Sequence, residues 1–184
     1  SLLAFAGFLL RGPSGLIGLG LGEGGVLALG AGLSLVFFVQ HSAMIRRPFR
    51  NWLARRLPER YGGAVFAIAS AVVLLAFVAL WQESSRVLWT APDAVRWVLH
   101  ALAVASLAGM AWSVLALGTF DLFGHAPIRE HLRGEKTPAS PFSVRGPYRW
   151  IRHPLYFFTL VMLWAYPGLT LDRLLFNGLW TGWI

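Results

Sequence analysis

Tyr61-Gly-Gly-Ala-Val-Phe-Ala-Ile-Ala-Ser-Ala-Val-Val-Leu-Leu-Ala-Phe-Val-Ala-Leu-Trp-Gln82 contains no Asp, Glu, Lys or Arg. A helix crossing roughly 30 Å of hydrocarbon needs about 20 such residues. Three further stretches, Gly24–Ile45, Trp97–Phe120 and His153–Leu171, are equally free of charge. The charged residues are therefore segregated between apolar runs, as a soluble core would not require. At 57% hydrophobic residues, with nine Trp and thirteen Phe, the chain reads as an all-α integral membrane protein.

The net charge of +8 invites a nucleic-acid reading, but its placement excludes one. Arg46, Arg47, Arg50, Arg55, Arg56 and Arg60 sit between the first two spans with only Glu59 among them. The segment Asp121–Arg152 is also basic, whereas Glu83–Asp93 holds two acids and one Arg. Positive loops stay inside, so the first two segments are expected to face the cytoplasm and the third to face outward. This arginine run also suits contact with anionic membrane lipids. Cysteine is absent, which removes disulfides and thiolate metal sites, and no metal site is expected.

About five helices follow from the pattern, ending in a C-terminal hairpin. The spans are read as Val26–Met44, Gly63–Trp81 and Pro92–Leu117. A shorter helix starts at Pro154, where proline suits the first helical position. Pro167-Gly168 interrupts it, and Thr170-Leu171-Asp172 reads as the cap of the next. Short interfacial helices are expected over Phe49–Leu57 and Ile128–Leu132. Residues 1–25 are taken as an N-terminal remnant and a flexible Gly-rich connection, Leu2–Leu10 belonging to a helix or to a signal segment. Residues 26–184 form the membrane domain, whose C terminus, inside an apolar run, is expected to be truncated.

Chemistry concentrates at one place. Gly146-Pro-Tyr148-Arg149-Trp150-Ile-Arg152-His153-Pro154-Leu155-Tyr156 brings rings, guanidinium groups and a helix start together at the membrane edge. Free N–H groups and the macrodipole make a helix N-terminus attractive to carboxylate or phosphate. The same residues could equally be an interfacial aromatic belt with snorkelling arginines.

The block Gly146-x-Tyr148-x-Trp150-x-Arg152-His153-Pro154-x-Tyr156 resembles the central motif of the isoprenylcysteine carboxyl methyltransferase superfamily. Gln40-His41-Ser42-Ala43-Met44 and Phe120-Asp121-Leu122-Phe123-Gly124 resemble its bacterial methanethiol S-methyltransferase branch. The resemblance spans residues 26–184 and implies a membrane methyltransferase using S-adenosylmethionine, with a cytoplasmic cofactor site. It implies that Tyr148, His153, Pro154, Leu155 and Tyr156 line the cofactor pocket. Ser140, Pro141, Phe142 and Ser143 align with a cofactor-contacting stretch. The family carries an Arg and acidic cluster after its last helix, beyond Ile184.

Methyl transfer to a small thiol such as methanethiol, forming dimethyl sulfide, needs the thiolate. Arg149 and Arg152 would favour it, and His41, Asp121 or His125 could take the proton. His131 reads as a solvated loop residue and His100 as an outer packing residue. Within the superfamily the acceptor could instead be a prenylcysteine carboxylate or a phospholipid. A different class is a haem-binding redox or isomerase protein with His41 and His153 as axial ligands, related to the denitrification-associated and carotene-isomerase-like families that share a His-Ser and an Arg-His-Pro element. The Phe-Asp-Leu-Phe-Gly and Gly-x-Tyr context fits the methyltransferase branch better, and a non-enzymatic scaffold is a third option. The expected location is the bacterial inner membrane, with lipids and a small thiol or lipid substrate as partners and no nucleic acid.

Overall fold

The computed structural model describes residues 1–13, 15–117, 121, 123–134 and 145–184. Among them are eight α-helices: α1 (Leu2–Arg11), α2 (Glu23–Ile45), α3 (Arg47–Ala54), α4 (Gly62–Leu80), α5 (Asp93–Ala116), α6 (Ala126–Arg133), α7 (Pro154–Trp164) and α8 (Leu171–Trp183). Two short strands, β1 (Val87–Thr90) and β2 (Gly168–Thr170), pair antiparallel. The expected count of about five is corrected to eight. The additional three are the short segments α1, α3 and α6, each ten residues or fewer; α3 and α6 fall on the expected interfacial helices, and α1 on Leu2–Leu10, which the sequence alone divides between a helix and a signal segment.

Among the described residues, three helical stretches are long and apolar enough to cross a membrane: Glu23–Ile45, Glu59–Leu80 and Asp93–Ala116. Their outward residues are apolar too: Leu35, Val36, Ile68, Val72, Val104 and Leu115 are all exposed. In water such surface would be costly; in hydrocarbon it is the expected coat. The α7–β2–α8 hairpin breaks where Pro167 and Gly168 predict, with Thr170 preceding the first residue of α8.

Lipid gives helices no hydrophobic reason to associate, so small residues and shape complementarity must bring them together. Gly109 of α5 lies against the Phe158 ring of α7, where an added Cβ would come within 2.4 Å of the ring. Gly30 of α2 meets Trp81 in the same way, at 3.0 Å. The buried hydroxyls of Ser34, Ser106 and Ser113 return their protons to carbonyls one turn back, at 2.7–2.9 Å. An aromatic cluster of Phe8, Phe77, Trp81, Phe176 and Trp180 fills the centre, with ring centroids 4.9–5.8 Å apart in neighbouring pairs.

The Gly-rich segment differs from expectation. It is irregular but tethered: Gln82 accepts the Leu19 N–H at 3.1 Å and donates to the Ile17 carbonyl at 2.7 Å. Glu23, at the start of α2, accepts from the hydroxyls of Ser84 and Ser85. Glycine removes the helix, and side chains from the α4–β1 connection then hold the path.

Candidate functional site

Residues 146–156 form a turn and a helix start seated on the end of α5. Gly146 has φ 55°, a left-handed conformation that favours glycine. It also sits where a Cβ would meet Ala116 at 2.9 Å and the Trp112 indole at 3.0 Å. Pro147 is buried, Tyr148 is half-buried, and Trp150 projects outward with its ring 5.9 Å from Trp112. Loss of solvation pushes the Tyr148 hydroxyl above its ordinary pKa. The turn closes through Ile151 N–H to the Pro147 carbonyl, 3.0 Å.

His153 then precedes buried Pro154, the first residue of α7, and its carbonyl accepts the Phe157 N–H at 3.1 Å. The His153 ring stacks on Tyr156, with centroids 5.5 Å apart and planes 24° from parallel. Both side chains are exposed, and Leu155 between them is half-buried. Arg149 and Arg152 are exposed without a carboxylate partner among the described residues. Ser140, Pro141, Phe142 and Ser143 lie outside the described residues.

A second cluster stands at the start of α6. One Asp121 oxygen meets His125 Nδ1 at 2.7 Å; the other accepts the Ala126 N–H at 2.7 Å. Partial desolvation alone would raise this carboxyl. The Ala126 amide and the His125 side chain and amide outweigh that and hold it at about 2. Gly124, with φ 67°, touches the backbone of Gly63 at the start of α4, so a Cβ there would fall 2.1 Å from the Gly63 carbonyl carbon. Backbone-to-backbone contact thus docks the Asp121–His125 turn, and α6 packs on Glu59–Tyr61.

His41 is set apart in α2, walled by the rings of Phe37, Phe66 and Trp183 at 5.0–5.5 Å. Its Nδ1 is shielded and has no hydrogen-bond partner among the described residues. Neighbouring Gln40 donates to Ser70 Oγ at 3.2 Å. The residues read from the sequence therefore fall into three groups: α7 start, α6 start and α2 end. The structure joins His153 to Tyr156 and Asp121 to His125. His41 stands in neither pair.

A cleft of about 640 Å³ lies between the end of α2, α3 and the start of α4. Tyr148, His153 and Tyr156 do not line it. Sequence reasoning also missed a buried polar node around the strand pair. Asp172 accepts from Trp81 Nε1 at 2.9 Å and from the Ser84 amide at 3.0 Å. Buried Arg173 donates to the Phe8 and Leu9 carbonyls, and its guanidinium carbon sits 4.4 Å from the Tyr166 ring centroid. Adjacent opposite charges inside an apolar hairpin were the available signal, since ionisable residues at membrane depth need named partners. Here those partners anchor α1.

Residues 28–177 match the family described as NnrU protein. The chain belongs to the NnrU protein family. Methanethiol S-methyltransferase of Mycobacterium tuberculosis is 33% identical over 150 residues, covering 81% of this chain and 62% of that protein. Methanethiol S-methyltransferase of Pseudomonas deceptionensis is 30% identical over 149 residues, covering 78% and 55%. Nurim of Rattus norvegicus is 31% identical over 167 residues, covering 81% and 60%. This NnrU-family chain spans less than two thirds of the length of these relatives. The two methyltransferase names agree with the isoprenylcysteine methyltransferase-like resemblance read from the sequence. No solved structure gives a significant match.

Proposed function

We propose that this chain carries S-adenosylmethionine-dependent methyl transfer at a membrane, with a small thiol such as methanethiol as acceptor. The stacked, exposed rings of His153 and Tyr156 at the start of α7 carry this reading. They fit the chemistry of the donor: aromatic faces attract a sulfonium cation and stack on adenine. The amides of Leu155 and Tyr156 have no intrahelical acceptor and suit its carboxylate. Tyr148, His153, Pro154, Leu155 and Tyr156 would hold the donor, with Ser140–Ser143 contributing from the preceding stretch.

When bound, S-adenosylmethionine supplies a methyl group already activated by its sulfonium. The chain's own work is then orientation, exclusion of water and removal of the acceptor's proton. Arg149 and Arg152 place positive charge that favours a thiolate. Asp121, held at about 2, stays ionised at neutral pH and is too weak a base to take the proton. Its role is to engage His125 Nδ1, which leaves Nε2 to accept the thiol proton. His41, with an unpartnered Nδ1 beside Phe66, is the second proton acceptor to test.

Positive segments favour the cytoplasmic side, which puts the α3, α6 and α7-start end inside and the strand pair outside, in a bacterial inner membrane. The test is a methyl-transfer assay offering methanethiol, a prenylcysteine analogue and a phospholipid in parallel. Dimethyl sulfide should dominate. Transfer to the prenylcysteine or phospholipid alone would reassign the acceptor, and no transfer to any of them, with a Soret band in the purified protein, would replace methyl transfer by haem chemistry.

A further inference from the structure

We propose that the cleft beneath α3 is a binding site for one anionic phospholipid of the surrounding bilayer. The cleft of about 640 Å³ has two unlike walls. Met44 of α2, Phe49 and Leu53 of α3, and Phe66 of α4 make an apolar lining, while Arg47 and Arg50 supply charge from the same helix. Glu59 is its single carboxylate, and neither arginine pairs with it or with another acid among the described residues.

An apolar slot beside unneutralised guanidinium groups matches a phosphodiester headgroup with the upper part of its acyl chains. A zwitterionic headgroup would bring its own cation beside two guanidinium groups and leave their charge uncompensated overall, and a free anion would leave the apolar wall unused. The placement agrees. α3 buries none of its residues and lies between two helices long enough to span, so it sits where headgroups are. Arg56 covers the Trp52 ring at 4.5 Å, and Trp52 is 5.5 Å from Phe49, an aromatic and cationic rim at the interface. None of these residues belongs to the α7 start; Phe66 also flanks His41 and Glu59 lies in the segment on which α6 packs, but the lipid site does not rest on the methyl-transfer reading.

The test titrates detergent-solubilised protein with phosphatidylglycerol, phosphatidylcholine and inorganic phosphate, read by native mass spectrometry. A single phosphatidylglycerol adduct should saturate, and phosphatidylcholine should bind about tenfold or more weakly. Arg47→Gln/Arg50→Gln should weaken the adduct by about tenfold or more, each arginine near a charged headgroup being worth most of a decade. Arg46→Gln/Arg55→Gln, removing the same charge outside the cleft, should change it by no more than about twofold. Equal weakening by both pairs would mean diffuse attraction and overturn the site. So would equal binding of phosphatidylcholine, or displacement of the lipid by an equal concentration of phosphate. In the unmutated protein, phosphatidylglycerol with brominated chains should quench the Trp52 contribution, measured against Trp52→Phe, more than brominated phosphatidylcholine does. Equal quenching would also refute it.

Discussion

Replacing Gly124 by alanine tests whether backbone contact positions the Asp121–His125 turn. Two costs are separable. Gly124 has φ 67°, and an L-residue in that conformation costs about 1–2 kcal/mol. Its new Cβ would also lie 2.1 Å from the Gly63 carbonyl carbon and 2.4 Å from the Ala64 nitrogen. Backbone cannot rotate aside as a side chain can, so overpacking adds about 1–3 kcal/mol. Gly134 provides the control: its φ is also 67°, yet nothing lies within 4 Å of its added Cβ. Gly134→Ala should therefore cost only the conformational part. Hydrogen exchange across α6, read by mass spectrometry, should accelerate much more in Gly124→Ala than in Gly134→Ala, and methyl transfer should fall only in the former. Equal acceleration in both would show that the Gly63 contact does not dock the turn.

Other outcomes follow from the same geometry. Carboxyl NMR should place the Asp121 midpoint at about 2, below the usual 3.8. Because the folded value is depressed, its stabilisation is complete above about pH 4 and disappears as pH falls through 2; a midpoint near 3.8 would contradict the capping contacts. His125→Gln should lower turnover by about 10²-fold or more while donor affinity persists, and a larger loss in His41→Gln would move the base to α2. Trp81→Phe strands one buried Asp172 oxygen and should cost about 1–3 kcal/mol in thermal or denaturant stability. Gly109→Ala forces Phe158 aside and should cost a similar amount; an unchanged melting profile would mean that α5 and α7 are not held by that contact.

Local chemistry was legible where it acts over one helical turn or one uninterrupted run. Uncharged length marked α2, α4 and α5; Pro154 and Pro167-Gly168 marked both limits of the short α7. α3 and α6 were anticipated in place, though both begin two residues earlier than read. Features that depend on distant partners were not legible. β1 is four exposed residues whose register exists only because Val87, Trp89 and Thr90 meet Thr170, Leu169 and Gly168. The Gly-rich path is held by Gln82, and α1 by Arg173, across more than sixty and more than one hundred and sixty positions respectively. For the site, composition identified the α7 start but not that His153 and Tyr156 would stack. The Phe-Asp-Leu-Phe-Gly motif marked Asp121, but its glycine's partner, Gly63, carried no sign of the pairing.

Calorimetric binding of S-adenosylmethionine to the protein and to its His153→Ala and Tyr148→Ala variants tests most directly whether residues 146–156 form a donor site. One saturable site is expected, weakened by about tenfold or more in each variant, the loss of a ring face against a cation being worth roughly 1–2 kcal/mol. Affinity unchanged in both folded variants would place the donor elsewhere.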